Sequence, residues 1–204
     1  MKYTGPKVKI ARKFGVEFGL KTPGSKSYER MLKKLNIRPG QHGKKRRRIT
    51  EYGRQLLEKQ KLKYMFGINE RQLQNYFEKA VEKKGNTALF LCQMLEKRLD
   101  NVVYRLGFAP TRAAARQLVS HRHIKVNDRV VNIPSYQVKV GDKISFKSEK
   151  SAEIPYIKKM LEEKIILPKW LKKKGLVGEL IDEPTDEDIA KIVDLRMVVD
   201  FYSR

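Results

Sequence analysis

The feature that most constrains this chain is its excess of positive charge. Of its 204 residues, 46 are Lys or Arg and 23 are Asp or Glu, which gives a net charge of +23. Charges of one sign repel each other and oppose compaction unless a polyanion neutralises them. Hydrophobic residues make up 40% of the chain, enough for a core, so disorder throughout is not expected. The expected partner is therefore a nucleic acid or an anionic membrane surface.

The charge is unevenly distributed. Residues 1–48 hold 16 Lys or Arg against two acidic residues, a net of +14. Because Gly and Pro interrupt any helical period there, we predict a basic arm that orders only against its partner and can be removed without unfolding the rest. Residues 175–204 hold three basic and eight acidic side chains, a net of −5. This reversal of sign predicts a second partner, a protein, at the acidic end.

Several classes of protein are excluded by what the sequence lacks. The single cysteine, Cys92, cannot form an internal disulfide or a thiolate zinc site, and its apolar neighbours indicate a reduced core residue. No apolar stretch approaches the roughly 20 residues of a membrane span, and residues 1–14 lack the apolar region of a secretory signal. The common nucleotide-binding and hydrolase motifs are absent. We predict a cytosolic protein without catalytic residues, metal or cofactor.

Helical periodicity dominates the middle of the chain. We predict helices at 50–66, 69–84 and 87–99, packed as one helical unit. Thr50 and Asn69 are placed to cap the first two, and Gly67 to end the first. Near the C-terminus, Thr185 is predicted to cap a further helix, and Val198-Val199 to form a last short strand.

The chain changes character after residue 99. Asp100 is predicted to cap a short helix, and Thr111 to cap a second that runs to about Ser120. The β-branched runs that follow predict antiparallel hairpins at 124–126, 130–131, 138–140 and 144–146. Residues 149–174 are predicted to be mostly helix and basic linker, anchored by Trp170 and Leu171. Two helices followed by hairpins indicate an α+β module.

The clearest candidate for nucleic-acid contact lies at the end of the second of these helices. Arg112 and Arg116 are four residues apart on one helix face. The run His121-Arg122-His123 and then Lys125 follow, so phosphate-directed donors are concentrated at one corner. A solvated basic face is the alternative and stays open from the sequence alone. A metal site is not favoured, because zinc needs four ligands and the chain has three histidines in all.

Four regions together resemble one protein family. They comprise Tyr3-Thr4-Gly5-Pro6 with Pro39-Gly40-Gln41-His42-Gly43; Tyr52-Gly53-Arg54-Gln55-Leu56 with Phe66-Gly67; the stretch from Arg98 through Tyr136; and the terminal Phe201-Tyr202-Ser203-Arg204. These segments are similar to the bacterial-type small ribosomal subunit protein four family. The similarity extends over essentially the whole chain.

The resemblance implies an α+β fold with three parts. Residues 1–48 would be a basic RNA-binding arm, and residues 49–91, completed by 184–204, a helical domain. Residues 92–183 would be an inserted RNA-binding domain, in which two helices pack on a small antiparallel sheet. The C-terminal helix would return to pack with residues 50–91.

The resemblance also implies a function in the ribosome, in the cytoplasm. Family members bind the small-subunit ribosomal RNA at a multi-helix junction near its 5′ end and nucleate subunit assembly. They contact neighbouring ribosomal protein five, lie on the messenger entry side and influence decoding accuracy. No binding to DNA or to a membrane is expected.

Two sets of residues are predicted for these contacts. Ribosomal RNA is expected to contact Lys7, Lys9, Arg12, Gln41, His42, Lys44, Lys45, Arg46, Arg47, Arg48, Arg54, Lys61, Arg112, Arg116, His121, Arg122, His123 and Lys125. The neighbouring protein is expected to contact Glu179, Asp182, Glu183, Glu187 and Asp188.

Two departures from the family pattern matter. Some members carry four cysteines that bind zinc, and this chain has none in its first third, so no metal is expected. The hairpin turn, often Asn-Gly, is here Asn127-Asp128, which predicts slight strain or a different turn type.

Two other classes of function stay open. One is an RNA-modifying enzyme that carries the same module as an appendage, and the other is a nucleoid or membrane-surface protein.

Overall fold

The structure, a computed structural model, describes residues 3–43, 48–148, 154–162 and 166–204. The chain divides into unit 1, residues 1–91 with 186–204, and unit 2, residues 92–185. Unit 1 is helical, whereas unit 2 combines helices with an antiparallel sheet. The predicted α+β class is therefore confirmed. None of the helices in the described ranges is long and apolar enough to cross a membrane.

Unit 1 is built around two capped helices. Its helices are α1 (Lys7–Phe14), α2 (Lys26–Lys33), α3 (Glu51–Phe66), α4 (Glu70–Val81), the start of α5 (Thr87–Glu96), and, near the C-terminus, α9 (Glu187–Ala190) and α10 (Leu195–Tyr202). The Thr50 hydroxyl accepts from the Gly53 amide, 3.2 Å away. Asn69 and Gln72 form the predicted capping box at the start of α4. Gly67, in the left-handed conformation, ends α3.

The described part of residues 1–48 is folded, so the prediction of an arm without its own order is wrong there. Helices α1 and α2 pack on each other, and α1 also packs on α3. Ala11 and Met31 are fully buried. The Arg12 Nε donates to the Ile37 carbonyl at 2.9 Å and ties α1 to the chain beyond α2. The local pattern could not reveal this, because α3 provides part of the apolar surface that α1 covers.

The C-terminal segment is a helix, not the predicted strand. The Asp194 Oδ1 accepts from the Arg196 and Met197 amides and caps α10. Helix α10 packs on α3 and α4, as the family resemblance implies. The predicted Thr185 cap is wrong, because the short α9 has Asp186 at its N-cap position, without a side-chain capping bond.

A charged cluster holds α10 in place. The Tyr202 ring stacks on Phe77 with centroids 4.9 Å apart, and its hydroxyl donates to the Glu70 carboxylate at 2.8 Å. The Lys59 Nζ lies 2.6 Å from the same carboxylate and 4.1 Å from the Phe201 ring centroid. Burial raises the pKa of Glu70, but its bonds with Lys59, Tyr202 and Lys63 lower the pKa more, and the net pKa is below its usual value. Burial and the Glu70 carboxylate raise the pKa of Tyr202, so its hydroxyl stays a donor.

Unit 2 packs helices on one sheet. After the end of α5 come α6 (Leu99–Arg105), α7 (Arg112–Ser120), β1 (Ile124–Val126), β2 (Arg129–Val130), β3 (Lys143–Phe146), α8 (Pro155–Glu162), β4 (Leu171–Lys174) and β5 (Val177–Leu180). The strands pair antiparallel in the order β2-β1-β3-β5-β4. Ile124 and Ile144 are fully buried in the core beneath α6 and α7. A Cβ on Gly178 would lie 2.3 Å from a Leu106 methyl carbon, so only glycine allows β5 to approach α6 this closely.

Several local predictions for unit 2 are confirmed. Thr111 caps α7, since its hydroxyl accepts from the Ala114 amide at 3.2 Å. Trp170 and Leu171 are buried, and so is Cys92. Asn127 and Asp128 form the two-residue loop of the β1–β2 hairpin, with φ of 47° and 65°. Positive φ at both positions is the type I′ requirement, and the Asn127 Nδ2 donates to Asp142 at 2.6 Å to hold it.

Three other predictions for unit 2 are wrong. Residues 138–140 are not a strand: the Val138 amide donates to the Lys97 carbonyl, and Gln137 forms one isolated bridge with Arg98. The hairpin of β4 and β5 replaces the predicted basic linker. The strand β4 was not predicted because Lys173 stands at a position that faces the core, where the alternating pattern of a strand calls for an apolar residue. Its Nζ lies 5.2 Å from the Phe108 ring centroid. Asp100 does not cap α6, since Arg98 occupies the N-cap and Asp100 lies in the first turn.

The packing of α2 can be tested directly. Met31→Ala should lower the free energy of unfolding by about 2–5 kcal/mol, because it opens a cavity at a fully buried position. Leu32→Ala, next along the same helix and 42% exposed, is the matched control and should change it by less than about 0.5 kcal/mol. Denaturant titrations of both variants make the measurement. Equal midpoints would show that residues 1–48 are a peripheral arm after all.

Candidate nucleic-acid interface

Unit 1 contains a groove between the end of α1, one face of α3 and the start of α10. We call it the unit 1 groove; its volume is about 270 Å³, and it is lined by Lys13, Phe14, Arg38, Ile49, Arg54, Leu57, Glu58, Lys61 and Met197. The α3 residues among these recur at three- and four-residue steps and so share one helix face. Arg54 and Lys61 were predicted to contact RNA. Lys13 and Arg38 were missed, because nothing in their local sequence distinguishes them from other basic residues.

The basic side chains of the unit 1 groove differ in whether they bind other groups of the protein. The Lys61 Nζ lies 2.6 Å from Glu58 Oε1, and the Lys13 Nζ donates to the Gln60 side chain at 2.9 Å. Arg38 and Arg54 are exposed, and within the described ranges neither guanidinium has an ion pair or a hydrogen bond. Glu58 has both carboxylate oxygens engaged, the second by the Asp194 amide at 3.1 Å. The two arginines therefore leave the groove with net positive charge.

The other predicted RNA contacts of unit 1 fall outside this groove. Lys9, Gln41, His42 and Arg48 are exposed, and Lys7 is half-buried. Arg12 is used internally, as its guanidinium donates to the carbonyls of Ile37 and Arg38. Lys44, Lys45, Arg46 and Arg47 lie outside the described residues.

In unit 2, two of the predicted arginines take part in internal ion pairs and hydrogen bonds. Asp100 is buried, and Arg98, fully buried, donates to both of its oxygens at 3.0 and 2.8 Å. The Arg116 Nε lies 3.2 Å from the second of these oxygens. One carboxylate thus joins the start of α6 to α7. Such a bridge is costly to break, because it would leave buried charge unpaired.

A second cluster surrounds Arg112. Its Nε donates to Asn101 Oδ1 at 2.8 Å, and its guanidinium lies 4.5 Å from the Tyr104 ring centroid. Asn101 in turn donates to the buried Glu96, which also binds Arg105 at 2.6 Å. Burial lowers the pKa of Arg112, although a guanidinium stays charged at physiological pH. Arg112 is therefore oriented by the fold before any ligand arrives.

The corner between α7 and β1 carries the most exposed cation of the predicted set in unit 2. The His123 amide donates to the Leu118 carbonyl and the Arg122 amide to the Val119 carbonyl, the two bonds of a Schellman motif. Arg122 occupies the left-handed position, with φ of 62°, where glycine is usual. Its side chain and that of His121 are exposed, while His123 is half-buried. An arginine at this position costs about 1 kcal/mol more than a glycine would, because its Cβ crowds the backbone.

The sheet presents a basic face on the side away from its core. Lys125 lies between the buried Ile124 and Val126 and so points to that face. Lys143 on β3 and Lys172 on β4, exposed on the two strands that flank β5, were not predicted. They are the cross-strand partners of Glu179, whose charge they balance.

The predicted protein contacts are distributed over both units. In unit 2, Glu183 receives Lys97 at 2.5 Å, and Asp182 accepts only from the Glu183 amide among the described contacts. In unit 1, Glu187 is exposed on α9, and the side chain of Asp188 lies outside the described residues.

The chemistry available at these surfaces is phosphate binding. Exposed guanidinium and ammonium groups neutralise phosphates without base specificity. Within the described part of the chain, no group of His, Cys, Asp and Glu side chains is arranged to hold a metal ion.

Two family models match the chain, and known proteins are similar to it over its full length. Residues 2–96 match the model described as ribosomal protein S4/S9 N-terminal domain, and residues 97–144 match the S4 domain. The chain is 47% identical to small ribosomal subunit protein uS4 of Aquifex aeolicus over all of this chain and 99% of the relative. The same protein of Parabacteroides distasonis is 49% identical, and that of Chromobacterium violaceum 44%, each with 100% and 99% of the two chains covered.

The two kinds of arginine in unit 2 can be separated by experiment. Arg116→Gln should lower the melting temperature and cost about 1–3 kcal/mol, because Asp100 loses a partner. Arg122→Gly removes the same charge but relieves a left-handed arginine, so the melting temperature should not fall while RNA affinity does. Thermal unfolding and filter binding of both variants make the comparison. Weaker binding by Arg116→Gln at unchanged stability would assign Arg116 to RNA instead.

Proposed function

The chain belongs to the ribosomal protein S4 family, and we propose on that basis that it holds together a multi-helix junction near the 5′ end of the small-subunit ribosomal RNA. The family consists of structural ribosomal proteins, not enzymes. The observation that carries the proposal is the presence on both units of exposed arginines without an ion pair among the described residues: Arg38 and Arg54 on one unit and Arg122 on the other. Two separately folded basic surfaces can bind two RNA helices at once.

Shape, rather than base sequence, would guide this recognition. The major groove of A-form RNA is too narrow for side chains, so phosphates and 2′-hydroxyls are the accessible groups. Helices that meet at a junction repel each other through their phosphates, and cations on both units would offset that repulsion. Binding early in assembly would follow, because the protein stabilises an arrangement that bare RNA disfavours.

The finer site assignments belong to the same proposal. The exposed members of the predicted set, with Arg38 and Lys13 added, are proposed as direct phosphate contacts. Arg12, Arg112 and Arg116 are proposed to act mainly by positioning, since they bind carbonyl, amide and carboxylate groups of their own unit. The proposed division into arm, helical domain and inserted RNA-binding domain keeps the boundaries 1–48, 49–91 with 184–204, and 92–183. Messenger RNA at the entry side is a further proposed contact.

Salt dependence tests the RNA proposal. The logarithm of the affinity for junction RNA should fall linearly with the logarithm of salt, with a slope near −4 if about five phosphates are neutralised. A simple RNA hairpin and duplex DNA of equal length, at the same salt, are the controls and should bind more weakly. A slope near zero would contradict the electrostatic account, and equal binding of duplex DNA would favour a nucleoid protein.

The acidic end is proposed to contact neighbouring ribosomal protein five and thereby influence decoding accuracy. Asp182 and Glu187 suit this role best, because both are exposed and neither has a cation partner within the described ranges. Glu179 suits it least, since Lys143 and Lys172 are its cross-strand partners.

Replacing the two best-suited acids tests the contact. The double variant Asp182→Asn, Glu187→Gln should bind isolated protein five about two- to fivefold more weakly, the range for exposed charge pairs. It should raise misreading in a reporter assay while RNA affinity stays the same or rises slightly. Glu179→Gln is the matched control and should change neither measurement. Unchanged misreading with weaker RNA binding would assign the acidic end to the RNA-binding structure.

A further inference from the structure

The exposed residues that line the unit 1 groove, which we call its rim, are basic, and most of the half-buried ones, which we call its floor, are apolar. Phe14, Ile49, Leu57 and Met197 line it, and all four are only half-buried, so each keeps apolar surface facing outward. A surface that binds only phosphates has no use for such a floor, because phosphates and ribose hydroxyls are hydrophilic. The occupant must combine a charged part with an apolar part.

An unpaired nucleotide has this composition. Its base presents an apolar π-face that stacks on aromatic and aliphatic side chains, while its phosphate carries the negative charge. Arg38 and Arg54 are exposed at the rim with no ion pair among the described residues, so they can bind the phosphate without giving up an existing bond. Glu58 does not repel it strongly, because both of its oxygens are already engaged.

The size of the groove supports the same occupant. Its volume of about 270 Å³ is close to the lower limit, roughly 300 Å³, of pockets that bind small organic molecules. A paired RNA helix cannot enter a groove of that size, whereas one extruded nucleotide can.

We propose that the unit 1 groove binds a single unpaired ribonucleotide, with its base on the apolar floor and its phosphate between Arg38 and Arg54. The inference rests on the proposed function and deepens it, since it identifies which feature of a junction unit 1 selects. Base identity would matter little, because the groove offers a stacking surface rather than a set of donors and acceptors for base edges. The protein would thus prefer a helix with an unpaired nucleotide to a continuous helix.

Three short RNA duplexes test this preference with the full-length protein. One has a single unpaired adenosine, the second has an abasic nucleotide at that position, and the third is fully paired. The first should bind about five- to tenfold more tightly than the other two, the lower range for stacking one base on a protein. The abasic duplex keeps the extra phosphate, so it separates stacking from charge. Equal affinity for the first two would overturn the inference.

Variants of the groove test its location. Ile49→Ala should reduce the preference for the unpaired adenosine, whereas Ile37→Ala, an exposed isoleucine outside the groove, should not. Arg54→Gln should weaken binding of the bulged duplex more than Arg71→Gln, which removes an exposed arginine elsewhere in unit 1. Melting temperatures establish that each variant is folded. If every variant keeps the full preference, the nucleotide binds elsewhere and the inference is wrong.

The binding measurements distinguish a failure of the nucleotide site from a failure of the proposed RNA-binding function. Salt-dependent binding of all three duplexes with equal affinity would leave RNA binding intact and remove only the nucleotide site. No binding of any of the three, nor of junction RNA, would overturn both. Binding of an acidic peptide that displaces the bulged duplex from the groove more effectively than free adenosine monophosphate does would also overturn the nucleotide assignment.

Discussion

The organisation of unit 2 depends on the ion pair between Arg98 and Asp100. A guanidinium with no exposure to solvent costs several kcal/mol to bury, and a carboxylate that accepts two of its hydrogen bonds offsets that cost. The same carboxylate contacts Arg116 on α7, and the backbone beside it donates to the carbonyls of Pro134 and Tyr136. Helix α6, helix α7 and the loop before β3 therefore share one charged centre. Its contribution is to fix their arrangement, because an apolar core of the same volume could be equally stable.

This use of carboxylates explains how a chain with net charge +23 can fold and still bind a polyanion. In unit 2, Glu96 and Asp100 are buried among arginines, and in unit 1 Glu70 binds Lys59 and Lys63. Glu70 contacts two lysines and Asp100 contacts two arginines, so each carboxylate lowers the repulsion between its neighbouring cations. Each such pair cancels one charge of each sign, so the net charge of +23 is unchanged and remains available to a polyanion.

How far the sequence predicts the fold depends on how local each signal is. Thr50, Asn69 and Thr111 were recognisable as caps, since a cap is a hydrogen bond to an amide two or three residues away. Met31 was not recognisable as a core residue, because the surface that buries it comes from elements distant in sequence. Val198 was misread as strand because β-branched pairs favour strands, whereas packing of α10 on α3 and α4 outweighs that preference. The order of the strands, with β5 beside β3, lay equally beyond local reasoning.

The site was less predictable than the fold, because a sequence treats every arginine alike. Arg12, Arg98 and Arg116 bind groups of the protein itself, whereas Arg38 and Arg54 face solvent, and only tertiary structure distinguishes the two sets. The backbone conformation of Arg122 distinguishes it from the other arginines in the described ranges. It occupies a left-handed position that glycine would adopt with less strain, and its side chain is exposed. Backbone conformation, read together with side-chain partners, thus separates the cations that build this protein from those available to its RNA.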